Sequence, residues 1–169
     1  IHDWQREMSP WPAAALSKDA EVFSGGADAY LESLLSTILP WAGERIRGKA
    51  SFMGVAGYSL AGLFALYAMY KTDVFSRVAA MSGSFWFPGM RNFCKENTMK
   101  ILPEKLYLSI GDQEYRTRHT ILKTMQENTE ELFGYFRSLG IPCKCELNQG
   151  NHFQDVNLRC AKGILELLQ

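Results

Sequence analysis

Gly57-Tyr58-Ser59-Leu60-Ala61-Gly62 stands between a short apolar run and a long one, and the reading of that junction decides the fold. Upstream, Ala50-Ser51-Phe52-Met53-Gly54-Val55-Ala56 is short, uncharged and β-compatible, which predicts a buried strand. Downstream, the run from Leu60 to Tyr70 carries Leu63, Leu66, Ala68, Met69 and Tyr70 without Pro or charge, which predicts a buried helix. Strand, tight turn and helix around Gly-x-Ser-x-small is the setting of a nucleophile elbow, in which a strained turn exposes the serine Oγ. Gly57, Ala61 and Gly62 are small, as close approach of backbone and helix requires there. Ala61 takes a position more often held by Gly, a departure that a methyl group satisfies. A plainer reading stays open at this point: Ser59 as an ordinary helix N-cap.

The rest of the chain bounds the choice. A length of 169 residues suits one domain over residues 1–169 with a real core. Hydrophobic residues make up 47% and charged residues 21%, as in ordinary globular proteins. The 18 basic and 18 acidic residues balance, so no global field draws nucleic acid or an anionic membrane. No stretch approaches the ~20 apolar residues of a membrane span, and a secretory leader is not expected. The four cysteines, Cys94, Cys143, Cys145 and Cys160, have neither zinc spacing nor the density of a disulfide scaffold. Free thiols in a reducing cytoplasm are therefore expected. A homo-oligomer is left open by the sequence.

Residues 1–24, with Trp4, Met8, Pro10, Trp11 and Pro12, lack periodicity and read as a loop whose tryptophans either cap the core or line a pocket. From Gly26 onward, Ala27, Tyr30, Leu31, Leu34, Leu35 and Ile38 recur at helical spacing, and Pro40 is expected to end or kink that helix. Arg77 to Gly83 reads as a second buried strand that runs into the aromatic cluster Phe85-Trp86-Phe87. Lys105 to Ile110 is a third strand, ending at Gly111-Asp112-Gln113-Glu114. A long helix carries Leu122, Met125, Thr129, Leu132, Phe136 and Leu139 on one face, with Gly140 as its stop signal. Pro142 to Asn148 is a fourth, more polar strand nearer the sheet edge, and a last helix from about Asn157 carries Leu158, Ala161, Ile164, Leu165 and Leu168. Alternating strands and helices imply an α/β class with a mostly parallel sheet covered on both faces.

A serine hydroxyl needs a base within hydrogen-bond reach, usually a histidine oriented by a carboxylate. Of the three histidines, His2 precedes the hexapeptide and His119 opens the long helix. His152 lies in a Gly-Asn-His-Phe loop after the fourth strand, at the carboxyl end where open α/β sheets place their sites, and is the expected base. The acid comes from the loop after the third strand, where Asp112 and Glu114 both stand. Glu114 is favoured because it has cleared the strand end, whereas Asp112 is placed to engage local turn hydrogen bonds. The N–H of Leu60 is one expected oxyanion donor, and the loop that would supply a second is not found in the chain.

These three segments, in the order Ser59, Glu114, His152, resemble the esterase family that includes esterase D and the enterochelin (siderophore) esterases. The similarity runs from the Asp3-Trp4 region to the C-terminal helix. It implies an α/β-hydrolase fold and a cytoplasmic serine carboxylic-ester hydrolase. Ser59 would be the nucleophile, His152 the base and Glu114 the acid (alternatively Asp112), with no metal or organic cofactor. The implied partner is a small-molecule ester, with Trp4, Trp11, Tyr58, Phe85, Trp86 and Phe153 as candidate substrate contacts suited to an apolar or aromatic group. An acyltransferase with the same residues and a non-catalytic binding protein of this fold are the rival readings. Family members carry further strands and an oxyanion loop ahead of the position of Ile1, so the sheet is expected to lack neighbours on the side of the Ser59 strand.

Overall fold

Asp3 sets the first helix: its carboxylate accepts the Arg6 N–H at 2.9 Å, the N-cap contact that satisfies an otherwise orphaned donor. The computed structural model describes residues 1–169 and divides into two compact units, Ile1–Phe52 and Met53–Gln169. In the first, α1 (Trp4–Glu7) precedes an antiparallel ladder of β1 (Pro12–Ala13) and β2 (Phe23–Ser24). The stretch expected to be a loop is thus partly ordered by its own polar groups. The buried Ser9 Oγ accepts the Gly25 N–H at 3.0 Å and donates to the Arg6 carbonyl at 3.1 Å.

Beyond it, α2 (Ala27–Ser33) passes through a π turn (Leu34–Ile38) into α3 (Leu39–Gly43). Pro40 does not end this helix. The Leu39 N–H reaches back five residues to the Leu34 carbonyl, and the widened turn admits a ring that would otherwise clash with the carbonyl four residues behind it.

The second unit runs β3 (Gly54–Tyr58), α4 (Leu60–Lys71), β4 (Arg77–Met81), α5 (Met90–Glu96) and β5 (Lys105–Gly111). A 3₁₀ turn (Leu122–Thr124), α6 (Met125–Ser138), β6 (Cys143–Asn148) and α7 (Val156–Leu168) complete it. The four strands pair in parallel in the order β3-β4-β5-β6. β4 and β5 are central and buried, and their residues form the continuous apolar runs that sheets covered on both faces require. Gly163 and Leu167 of α7 pack on Met81, Tyr107 and Ala79 of one face. The alternate residues Val78, Ala80, Leu106 and Leu108 point to the other face, where α4 lies along β3 and β4, and α6 along β5 and β6.

Two expectations need correction. The strand before Ser59 begins at Gly54 rather than Ala50, and within it only Gly57 is buried. As expected, β3 pairs with β4 alone, and its other edge carries no strand of this chain. The last helix buries Arg159, Gly163 and Leu167, while Leu158, Ile164, Leu165 and Leu168 are exposed. A smaller miss is Leu139, which lies outside the buried face of α6. No helix is long and apolar enough to cross a membrane.

Candidate active site

Parallel pairing sets the strand ends side by side: Tyr58 lies opposite Met81, Met81 opposite Ser109, and Gly111 opposite Asn148. Residues just past those ends therefore gather at the carboxyl edge of the sheet. They are Ser59 after β3, Ser82 after β4, Glu114 after β5 and His152 after β6.

Ser59 turns the chain sharply from β3 into α4 with φ 58° and ψ −120°. This region is sparsely populated by non-glycine residues, and occupying it costs about 1–3 kcal/mol. The surroundings hold it there. The Ser59 N–H donates to the Met81 carbonyl at 3.0 Å, and its own carbonyl accepts the Ser84 N–H at 3.0 Å and the Leu63 N–H at 3.1 Å. A Cβ on Gly57 would lie 2.1 Å from the Ala61 carbonyl oxygen, and one on Gly62 would lie 3.0 Å from Gly83 Cα. Only glycine permits the first of these approaches. The Ser59 side chain makes no capping bond to α4, so the plain N-cap reading does not hold. Its Oγ lies 2.9 Å from His152 Nε2 instead.

His152 Nδ1 is 2.7 Å from Glu114 Oε2. An ionised carboxylate only accepts, so Nδ1 carries the proton, and Nε2 of the neutral ring is left to accept the Ser59 hydroxyl. The histidine loop is fastened at two further points. The Tyr58 hydroxyl donates to the His152 carbonyl at 2.8 Å, and Asp112 Oδ1 accepts the Gly150 N–H at 2.8 Å. Of the two candidate acids, then, Glu114 faces the imidazole and Asp112 braces the backbone of its loop.

The Glu114 carboxylate is wholly buried. Its Oε1 accepts from Ser82 Oγ at 2.7 Å, the Gly111 N–H at 2.7 Å and Arg159 Nη1 at 2.9 Å. Burial pushes its pKa up, but bonds from His152, Ser82 and Gly111, with the attraction of the imidazole, outweigh this and hold the carboxyl below its ordinary value. Ser82, with φ 45° and no exposed surface, is the second serine strained at a strand end.

The aromatic candidates separate by position. Tyr58 is half-buried, its ring 5.4 Å from that of His152. Phe153 is 86% exposed, and its ring meets the His152 ring edge-on at 5.2 Å. Phe85 is 1% exposed and packs against Gly83, where a Cβ would lie 2.5 Å from its ring. Its ring is therefore core, and only Trp86 of that pair offers exposed surface. Trp4 opens α1 and is exposed, while Trp11 is partly buried just before β1. No group of three or more His, Cys, Asp or Glu side chains is arranged to hold a metal ion.

Two buried residues at the site, Ser82 and Arg159, escaped the sequence reading. Ser82 sits in an Ser-Gly-Ser run with no distinguishing signal. Arg159 was hidden among the leucines of α7, although its spacing with Gly163 and Leu167 at i, i+4 and i+8 marks one helical stripe.

The family model described as "Putative esterase" matches residues 2–134. The chain belongs to this esterase family. Ser59 and Glu114 fall within the match, and His152 and Arg159 lie beyond it. Among curated proteins, the chain is 28% identical over 151 residues to the siderophore enterobactin esterase of Emericella nidulans, covering 74% of this chain and 50% of that protein. It is 27% identical over 137 residues to the uncharacterized protein YbbA of Bacillus subtilis, covering 79% of this chain and 55% of that protein. The chain thus spans about half the length of the curated relatives it matches.

Among solved structures, the siderophore hydrolase EstB from Aspergillus nidulans superposes with a TM-score of 0.78 at 24% identity, over 95% of this chain and 63% of that one. An IroE-like serine hydrolase from Shewanella oneidensis gives 0.78 at 18% identity, over 95% and 55%. The fold of this esterase-family chain is that of the α/β-hydrolases, a parallel sheet flanked by helices.

Proposed function

We propose that the protein is a serine carboxylic-ester hydrolase in which Ser59, His152 and Glu114 form the catalytic triad and the Ser59 turn is a nucleophile elbow. The observation that carries this reading is the unbroken chain from Ser59 Oγ to His152 Nε2 at 2.9 Å and from His152 Nδ1 to Glu114 Oε2 at 2.7 Å. His152 Nε2 takes the Ser59 proton as Oγ bonds to the ester carbonyl carbon. Glu114 holds the ring in the required tautomer and offsets the charge that develops on it. The tetrahedral intermediate collapses, His152 returns the proton to the departing alkoxide, and an acyl-enzyme remains. Water, deprotonated by the same nitrogen, then releases the acid and frees Ser59. As the first residue of α4, Leu60 has an N–H with no acceptor inside the helix, and it serves the oxyanion.

Family membership and the likeness to a siderophore enterobactin esterase support ester chemistry. The exposed Phe153 ring beside His152 supports a small ester with an apolar or aromatic group. The free thiols of Cys94, Cys143, Cys145 and Cys160 support a cytoplasmic setting. Turnover of p-nitrophenyl acetate provides the test: Ser59→Ala lowers kcat by at least about 1,000-fold, and wild-type turnover in that variant would refute the reading.

A further inference from the structure

We propose that Arg159 is the positioning residue of this site, a single buried guanidinium that binds the acid and the histidine loop into one rigid unit. The inference rests on the triad reading above. Arg159 lies on the inward face of α7 with 1% of its surface exposed. Its Nη1 donates to Glu114 Oε1 at 2.9 Å, Ser82 Oγ at 3.2 Å and the Tyr58 hydroxyl at 3.2 Å. Its Nη2 donates to the carbonyls of Gln149 and Asn151, both at 3.0 Å. These acceptors belong to the end of β3, the residue after β4, the loop after β5 and the loop after β6. One side chain therefore ties together all four strand ends that build the site.

Three features set this apart from an incidental buried ion pair. First, α7 has leucines to bury and leaves them in water, so the helix is rotated to present a charge whose desolvation is costly, offset by the acceptors around its two terminal nitrogens while Nε has no partner. Second, the neighbouring backbone makes room for it: a Cβ on Gly111 would lie 2.8 Å from Arg159 Nη2. Third, the contacts converge on His152 by two routes. The carbonyls of Gln149 and Asn151 fix the approach to the histidine directly. The Tyr58 hydroxyl that accepts from Arg159 also donates to the His152 carbonyl. The flat fork of a guanidinium spans these acceptors, whereas the compact ammonium of Lys cannot.

The charge has its own consequence. Arg159 sits on Oε1 of the carboxylate whose Oε2 faces His152, so it takes up part of the field that the imidazolium would otherwise feel. Without it, the buried carboxylate holds the protonated ring more firmly, and the base stays protonated to higher pH.

The test compares wild type, Arg159→Lys and Arg159→Met by kcat, KM and the pH profile of kcat/KM for p-nitrophenyl acetate, using the intact protein. Both variants lower kcat by about 100-fold through misplacement of the loop, with KM within about threefold of wild type. The acidic limb of kcat/KM rises by about one pH unit in Arg159→Met and stays in place in Arg159→Lys, which keeps the charge. Wild-type kcat in either folded variant overturns the proposal. So does loss of kcat in Arg159→Met with an unmoved limb, the result expected of a merely loosened fold. Should thermal unfolding show that Arg159→Met does not fold, Arg159→Lys decides through kcat alone. Failure of the parent reading is separable, because it shows as wild-type turnover in Ser59→Ala with Arg159 intact.

Discussion

Helices α4 and α7 are both leucine-rich and both pack on the same sheet, yet they spend their side chains in opposite ways. In α4 every residue from Gly62 to Tyr70 is buried, including Leu63 and Leu66. In α7 the leucines at 158, 165 and 168 stand in water while an arginine, a glycine and one leucine face inward. The difference lies in what each helix covers. α4 lies along the apolar strands β3 and β4, and burial of each large side chain there contributes about 1.5–3 kcal/mol. α7 starts beside a buried carboxylate that calls for a positive partner, and it then crosses a crowded patch, where a Cβ on Gly163 would sit 2.4 Å from Met81 Sδ. Apolar content identifies a helix. The surface beneath it chooses the buried face.

Leu66→Ala in α4 gives the largest expected stability change. It removes a fully buried side chain and costs about 2–5 kcal/mol by chemical denaturation. A loss below about 1 kcal/mol would mean that α4 is not the core helix described. Gly163→Ala should come next, at about 1–3 kcal/mol from overpacking against Met81, reduced by ~1 kcal/mol of helix propensity. A stabilised variant would show that α7 does not press on the sheet.

A further effect is confined to low pH. The folded-state pKa of Glu114 is depressed, so the stability it contributes is complete above the unfolded carboxylate value of about 4.3 and drains away as pH falls through the lower folded value. Denaturation midpoints of wild type should therefore decline more steeply below about pH 4.3 than those of Glu114→Gln, and parallel curves would contradict the assignment. Smallest is Leu165→Ala, which removes a side chain 56% exposed and should stay within about 0.5 kcal/mol of wild type. A cost like that of Leu66→Ala would erase the contrast between the two helices.

Much of this architecture is written in local pattern. After Gly54 the strands and the helices α4, α6 and α7 are legible as apolar runs punctuated by Gly and Pro, whereas α5 is not, and the positions of Ser59, Glu114 and His152 along that order put them past the ends of β3, β5 and β6. What escaped was decided by tertiary context. Pro40 is accommodated inside a helix because a π turn forms ahead of it. β3 reads as a buried strand by composition, yet only Gly57 of it is buried. Arg159 reads as a solvated charge among leucines, since its five acceptors come from four separate segments and leave no joint trace in the chain. Ser82 is concealed in the same way, as its partners Glu114 and Arg159 are distant in sequence.

The central claim is that Ser59 is a nucleophile activated by His152, and covalent capture tests it most directly. Intact-mass measurement with peptide mapping after treatment with a fluorophosphonate should find one adduct per chain, on Ser59. The labelling rate should fall by at least about 1,000-fold in His152→Ala. No adduct, an adduct on another residue, or equal labelling of His152→Ala would contradict the account.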